Sequence, residues 1–187
     1  MEQKTDNGAI NYLSYINGDD KGFYELVKEY FDGLCAFIFG ITGDRGLSEE
    51  LADDTFYRIA VKKPHYGGAS SFRTWLYSIG RHVALDACKK KKHDCMPLDE
   101  AYNDADADSP ERAYLSDERN KTLYRALDKL KPEYRQILWL VYFENMSSDE
   151  AAEVLKKSKN STYVLLHRAK DSLKSKLEEE GFDYEIL

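Results

Sequence analysis

Apolar residues recur at steps of three and four along most of the chain, and no stretch alternates with the period of two that a half-buried strand requires. The first run follows Asp19-Asp20. There Phe23, Leu26, Val27, Tyr30, Phe31, Leu34, Ile38 and Ile41 line one side of a helix that Thr42-Gly43 ends. A second helix is predicted from Ser48, with Glu49 and Glu50 in the first turn, where the helix dipole favours carboxylates. Leu51, Phe56 and Ile59 form its dry side and Pro64 closes it. After a Gly/Ser loop over residues 66–71, a third stripe carries Phe72, Trp75, Leu76, Ile79 and Val83 into the run Lys89-Lys90-Lys91-Lys92. Three such helices enclose a small core.

Residues 94–109 are acidic, poor in large apolar side chains and interrupted by Pro97, the composition of a linker. Ser109-Pro110-Glu111 then has the form of a helix start, with Ser as cap and Pro at the first helical position. Leu123, Ala126, Leu127 and Leu130 stripe the helix that follows, and Pro132 opens another bearing Ile137, Leu138, Leu140 and Val141. Ser147 with Glu150 three residues on is a capping box for a short helix over 149–155. A polar turn over 156–160 leads to a last helix over 161–180, with Leu166, Ala169, Leu173 and Leu177 on its core side. The expected fold is all-α: two small helical domains, 10–93 and 111–182, joined by an acidic linker, 94–110, the C-terminal domain a helix-turn-helix.

Charge changes this picture by segment. The chain totals −7, yet residues 94–111 hold seven acidic and no basic side chains, whereas 156–176 hold seven basic and one acidic. A basic helix after a short capped helix and a tight turn has the spacing that offers its second helix to the DNA major groove. A helical hairpin with a solvated basic face is the alternative. In the first domain, Tyr66, Phe72, Trp75 and Tyr77 lie beside Arg73, Arg81 and the lysines. Rings among cations suit unpaired bases and their phosphates, although Phe72 and Trp75 also sit on the apolar stripe and fit a core role. Glu49, Glu50, Asp53 and Asp54 form an acidic cluster, read as a solvated or partner-binding face before a site for Mg²⁺ or acid–base work.

Other classes recede. His65, His82, His93 and His167 lack ligand spacing, and no phosphate-cradling Gly-rich loop or Gly-x-Ser-x-Gly occurs, so no catalytic residue, metal or cofactor is expected. Cys35, Cys88 and Cys95 are odd in number and lack Cys-x-x-Cys spacing, which argues against a disulfide framework or a zinc site and for a reducing cytoplasm. No apolar run approaches the roughly 20 residues of a membrane span, and the N-terminus lacks secretory character.

Three stretches in this order resemble the extracytoplasmic-function sigma factors of bacterial RNA polymerase: SEELADDTF at 48–56, SFRTWLYSIGRHVALD at 71–86, and residues 127–135 with 147–169, including EAAEVL and HRA. The resemblance covers about residues 12–180. It implies a protein that delivers core RNA polymerase to promoter DNA and catalyses nothing itself, with an anti-sigma factor as an expected inhibitor and no membrane insertion. By position it implies that Glu49, Glu50, Asp53 and Asp54 face the polymerase. It likewise implies that Tyr66, Ser70, Phe72, Arg73, Arg81, His82 and Lys89 hold the opened minus-10 strand. Lys159, Ser161, Tyr163, Val164, His167 and Arg168 would meet the minus-35 duplex. Where the family usually shows Gln and Asn, this chain has Asp53 and His82. Where it usually shows basic residues, it has Val141, Tyr163 and Leu165, which implies weakened phosphate contacts by the last helix. Two other readings remain open: a helix-turn-helix regulator acting without polymerase, and a sigma-like protein whose Tyr163, Val164 and Leu165 meet a protein partner.

Overall fold

The structure, a computed structural model, describes residues 6–91 and 118–182, and all the regular secondary structure among them is helical. The linker, the cap expected at Ser109 and the last lysine of the run, Lys92, lie outside the described residues. The chain opens with a helix the apolar pattern did not announce, α1 (Asn7–Ile16), capped by Asp6, whose carboxylate accepts from the Ala9 amide. Its signal was hidden because Ile10 and Leu13 point outward, while Gly8 and Tyr12 make the buried contacts. Asp6 also accepts from the Phe72 amide at 2.8 Å and so ties the first helix to the fourth.

α2 (Asp20–Thr42) is the longest helix, capped by Asp19 and ended by Gly43 in the left-handed region (φ 68°), which donates to the Phe39 carbonyl. Leu26, Tyr30, Leu34, Phe37, Ile38 and Ile41 bury its stripe as expected. α3 (Arg45–Lys62) starts three residues before the expected Ser48, because Asp44 takes the cap by accepting from the Leu47 amide. Ser48 instead faces inward, its hydroxyl 2.7 Å from that of Thr42. α4 (Phe72–Lys91) follows the loop, and Tyr77, absent from the predicted stripe, is fully buried against Phe37. Cys88, near the end of α4, is disulfide-bonded. That corrects the expectation of reduced cysteines: an odd count excludes a fully paired framework, not a single pair.

The second unit comprises α5 (Glu118–Asp128), α6 (Pro132–Leu138), α7 (Ser148–Leu155) and α8 (Lys159–Glu179). α6 widens into a π-turn over Trp139–Phe143, where the Glu144 amide donates back to the Trp139 carbonyl. The extra residue in that turn stacks Trp139 on Phe143, centroids 4.3 Å apart and nearly parallel, and brings Glu144 within 3.2 Å of the Trp139 indole N–H. Both bonds of the Ser147/Glu150 capping box are present. Lys156 ends α7 in the left-handed region, and the Lys157 amide donates to Ala152 O, closing the tight turn into α8. That turn is shorter than predicted, since Ser158 caps α8 at Lys159 and not at Ser161.

The two units pack together. α2 meets α6, and the first turns of α4 meet α7. Buried Arg135 of α6 donates to the carbonyls of Leu127 and Asp128 at the end of α5, while its guanidinium lies over the Phe39 ring of α2. An aliphatic residue in its place would leave those carbonyls without their partner, so this arginine is a fold residue.

Gly22 decides how closely α1 and α2 approach. A Cβ there would lie 2.3 Å from the Asn11 carbonyl oxygen and 3.0 Å from the Tyr15 nitrogen, backbone atoms that cannot rotate away. Gly22→Ala is therefore expected to destabilise by about 1–3 kcal/mol despite the better helix propensity of Ala. Gly46→Ala, whose Cβ meets nothing nearer than 3.7 Å, is expected to stabilise by up to about 1 kcal/mol. Thermal unfolding of the two variants should move in opposite directions, and equal shifts would contradict the packing described.

Candidate nucleic-acid and polymerase interfaces

The loop before α4 is held by its own aromatics. The Tyr66 hydroxyl donates to Ser70 O at 2.6 Å, and its ring lies edge-on to Tyr12, Phe72 and Trp75. Tyr12 donates to Pro64 O at 2.6 Å, and burial pushes its own hydroxyl up to about 12, with Tyr15 adding to the effect. The rings thus fix the loop from below. Phe72 is fully buried in that cluster, so it shapes the loop and has no surface to offer a base. Trp75 is half-buried among the same rings. Tyr66, Ser70 and Arg73 are brought together at this end of α4.

Arg73 is clamped. It donates to the Glu144 carbonyl at 2.8 Å, with the carboxylates of Glu29 and Glu144 at 3.7 and 3.8 Å and the Tyr30 ring beneath. Two turns on, Arg81 is half-buried. Desolvation lowers its pKa, opposed by the charge of Glu133, and its Nε makes no hydrogen bond among the described residues. His82 and Lys89 lie on another side of the helix, about 100° round from Arg81 for His82. Both face solvent beside Asp86, at 3.1 and 4.0 Å. The seven residues expected at the opened strand therefore divide between a covered face (Arg73, Arg81), an open face (His82, Lys89), the loop (Tyr66, Ser70) and the core (Phe72).

α3 carries the acidic cluster outward. Glu50 and Asp53 are exposed, Glu49 pairs with Arg45 at 3.2 Å and Asp54 with Arg58 at 2.7 Å. The same face holds Tyr57 and Val61, 66% and 61% exposed. Sequence reasoning missed these two, although their spacing of three and four from Asp53, Asp54 and each other places them there. Along α3 the acidic side chains thus precede the two exposed apolar ones, which stand toward the end of the helix.

On α8, Thr162, Leu165, Leu166 and Ala169 are buried, leaving Ser161, Tyr163, Val164, His167 and Arg168 exposed. Leu165 thus belongs to the core, not to a partner-facing surface. Tyr163 packs edge-on to His167 at 4.7 Å. Lys159 is drawn to Asp149 at 2.6 Å. Beside this helix lies a groove of about 570 Å³ lined by Lys131, Glu133, Tyr134, Lys157, Asn160, Ser161, Val164, Leu165 and Arg168. Lys157 is paired with Glu133 at 3.2 Å. Lys131, Tyr134 and Asn160 were not among the sequence candidates, because the start of α6 and the start of α8 meet only in the folded chain and share no local pattern. Among the described residues no group of His, Cys, Asp and Glu is placed to hold a metal ion, and no helix is long and apolar enough to cross a membrane.

Comparison with known proteins covers both units. Residues 26–93 match the family model for sigma-70 region 2, and residues 120–173 match sigma-70 region 4. The chain is 29% identical over 156 residues to the RNA polymerase sigma factor YlaC of Bacillus subtilis, covering 82% of this chain and 90% of that protein. It is 28% identical over 170 residues to the ECF RNA polymerase sigma factor SigW of the same organism, covering 86% and 91%. Among solved structures, the sigma factor RpoE of Bartonella quintana, determined in complex with the anti-sigma factor NepR, shares the fold. That match has a TM-score of 0.64 at 19% identity and covers 84% of this chain and 98% of that one. With both sigma-70 regions matched in order and the named relatives aligned over most of their length, the chain belongs to the extracytoplasmic-function sigma factors.

Proposed function

We infer that the protein is a sigma factor that directs core RNA polymerase to promoter DNA, its own residues supplying recognition and no catalysis. The observation that carries this is the pairing of the two units: an acidic, partly apolar docking face on α3, and a helix-turn-helix whose second helix is exposed beside a cationic groove. The cytoplasm is the compartment where such partners meet. An anti-sigma factor is a further partner, supported by the complex in which the Bartonella relative was solved.

Each surface has a task in this reading. Glu50 and Asp53, with Tyr57 and Val61 one and two turns further along the same helix, dock on polymerase. The loop at Tyr66 and Ser70, with Arg73, Arg81, His82 and Lys89, takes the opened minus-10 strand: rings and cations suit unpaired bases and phosphates. α8 enters the minus-35 major groove while Arg168 and Lys131 reach backbone phosphates from the groove beside it. Tyr163 and Val164 stand exposed in the first half of that helix. Their apolar surfaces suit thymine methyls, so the reading expects A·T steps beneath them.

Transcription from a genomic template library by core polymerase plus this chain is expected to start at a defined promoter class, and no promoter-specific transcript would overturn the reading. The double substitution Glu50→Lys with Asp53→Lys is expected to weaken core binding by about 10-fold or more without altering the circular dichroism spectrum. Core titration against labelled protein measures this. With the assembled holoenzyme, Arg168→Ala should reduce the salt dependence of minus-35 binding by about one phosphate contact, a slope change of about 0.9. An unchanged slope would remove Arg168 from the DNA backbone.

A further inference from the structure

The starts of α1 and α4 share one capping residue, although they lie far apart in the chain. Asp6 caps α1 through Oδ1, which accepts from the Ala9 amide at 3.0 Å, while its Oδ2 accepts from the Phe72 amide at 2.8 Å. Phe72 is the first residue of α4, so its amide is one of the donors a helix leaves without an internal partner. The Ser71 hydroxyl takes another, the Thr74 amide, at 3.3 Å. Asp6 Oδ2 also stands 3.4 Å from the Tyr66 hydroxyl. Burial raises the pKa of Tyr66 and the nearby carboxylate adds to the effect, which keeps on that hydroxyl the proton it donates to Ser70 O. One carboxylate thus meets the loop over 66–71 at Tyr66, where it starts, and at Phe72, just past its end.

Sterics place α1 just as closely. A Cβ at Gly8 would lie 2.6 Å from the buried Phe72 ring and 2.6 Å from the Tyr30 hydroxyl, so the missing side chain lets α1 close on the start of α4. Further along α1, Tyr12 donates to Pro64 O and Tyr15 to Ala60 O. α1 therefore grips the segment before the loop, the loop itself and the helix after it. The match to sigma-70 region 2 begins only at residue 26, so it does not reach these contacts.

We propose that Asp6 is a positioning residue for capture of the minus-10 strand, fixing the loop over 66–71 and the first turn of α4 in the arrangement the strand meets. This rests on the reading of that loop as the strand-holding one. A loop already held in its binding geometry loses little freedom when the strand arrives, so affinity depends on the tie even though Asp6 acts through Tyr66 and Phe72. The carboxylate serves with both oxygens, because each of the two amides occupies one.

The test uses holoenzyme assembled from core polymerase and the full-length chain. Its probe is a fluorescein-labelled promoter fragment, of the class found by library transcription, with the minus-10 non-template strand left unpaired. Asp6→Ala removes both caps and is expected to weaken fragment binding by about 10-fold, with core affinity unchanged. Asp6→Asn leaves one acceptor oxygen for two amides and is expected to bind measurably more weakly than wild type. Gly8→Ala keeps the carboxylate but drives α1 off the Phe72 ring, and is expected to lose affinity in the same direction. Asp19 caps α2, its carboxylate accepting from the Lys21 amide and the Ser14 hydroxyl. Asp19→Ala thus removes a cap away from the loop and is expected to leave both affinities unchanged. Equal fragment binding by wild type and Asp6→Ala would overturn the proposal. So would a matching fall in core affinity, or an equal loss in Asp19→Ala, since either marks general destabilisation. Absence of promoter-specific initiation by wild type would overturn the functional reading instead, so the two failures are distinguishable.

Discussion

The close approach of neighbours to α2 is the constraint on which the rest of the molecule depends. This helix meets α1 at Gly22, where backbone passes within a Cβ's reach, and it admits the Glu144 carboxylate at Gly33. Its large apolar side chains, from Leu26 to Ile41, fill the first core, while the Phe39 ring lies under Arg135 of the second unit. Two units that look independent along the chain therefore share one strut. The buried apolar side chains of both form a continuous cluster.

That shared strut explains which features were legible in the sequence. Long stripes were: α2, α4 and the capping box of α7 stand where periodicity and cap chemistry put them, because local patterns sufficed. α1 was hidden because its buried positions are a glycine and a tyrosine and its isoleucine and leucine face outward. The π-turn has no sequence signature, yet it determines where Glu144 points. Phe72 and Leu165 were candidates for surface contacts by position in a motif. Burial assigns them to the core, because a helical motif interleaves core and surface positions within a few residues.

The candidate surfaces divided the same way. Charges that act on one helix, such as Glu50 and Asp53, were visible as a cluster. Surfaces assembled from several segments were not: the groove joining Lys131, Tyr134, Asn160 and Arg168, and the cover of α4 by Glu144 and Glu150. Contacts of this second kind need the tertiary fold.

The distance between the two units in the free chain tests this account most directly. Donor and acceptor dyes at the exposed positions Glu25 and Lys174 would report it by energy transfer. The account predicts high transfer in the native chain, lost only when denaturant unfolds it. Low transfer in the native chain would contradict it.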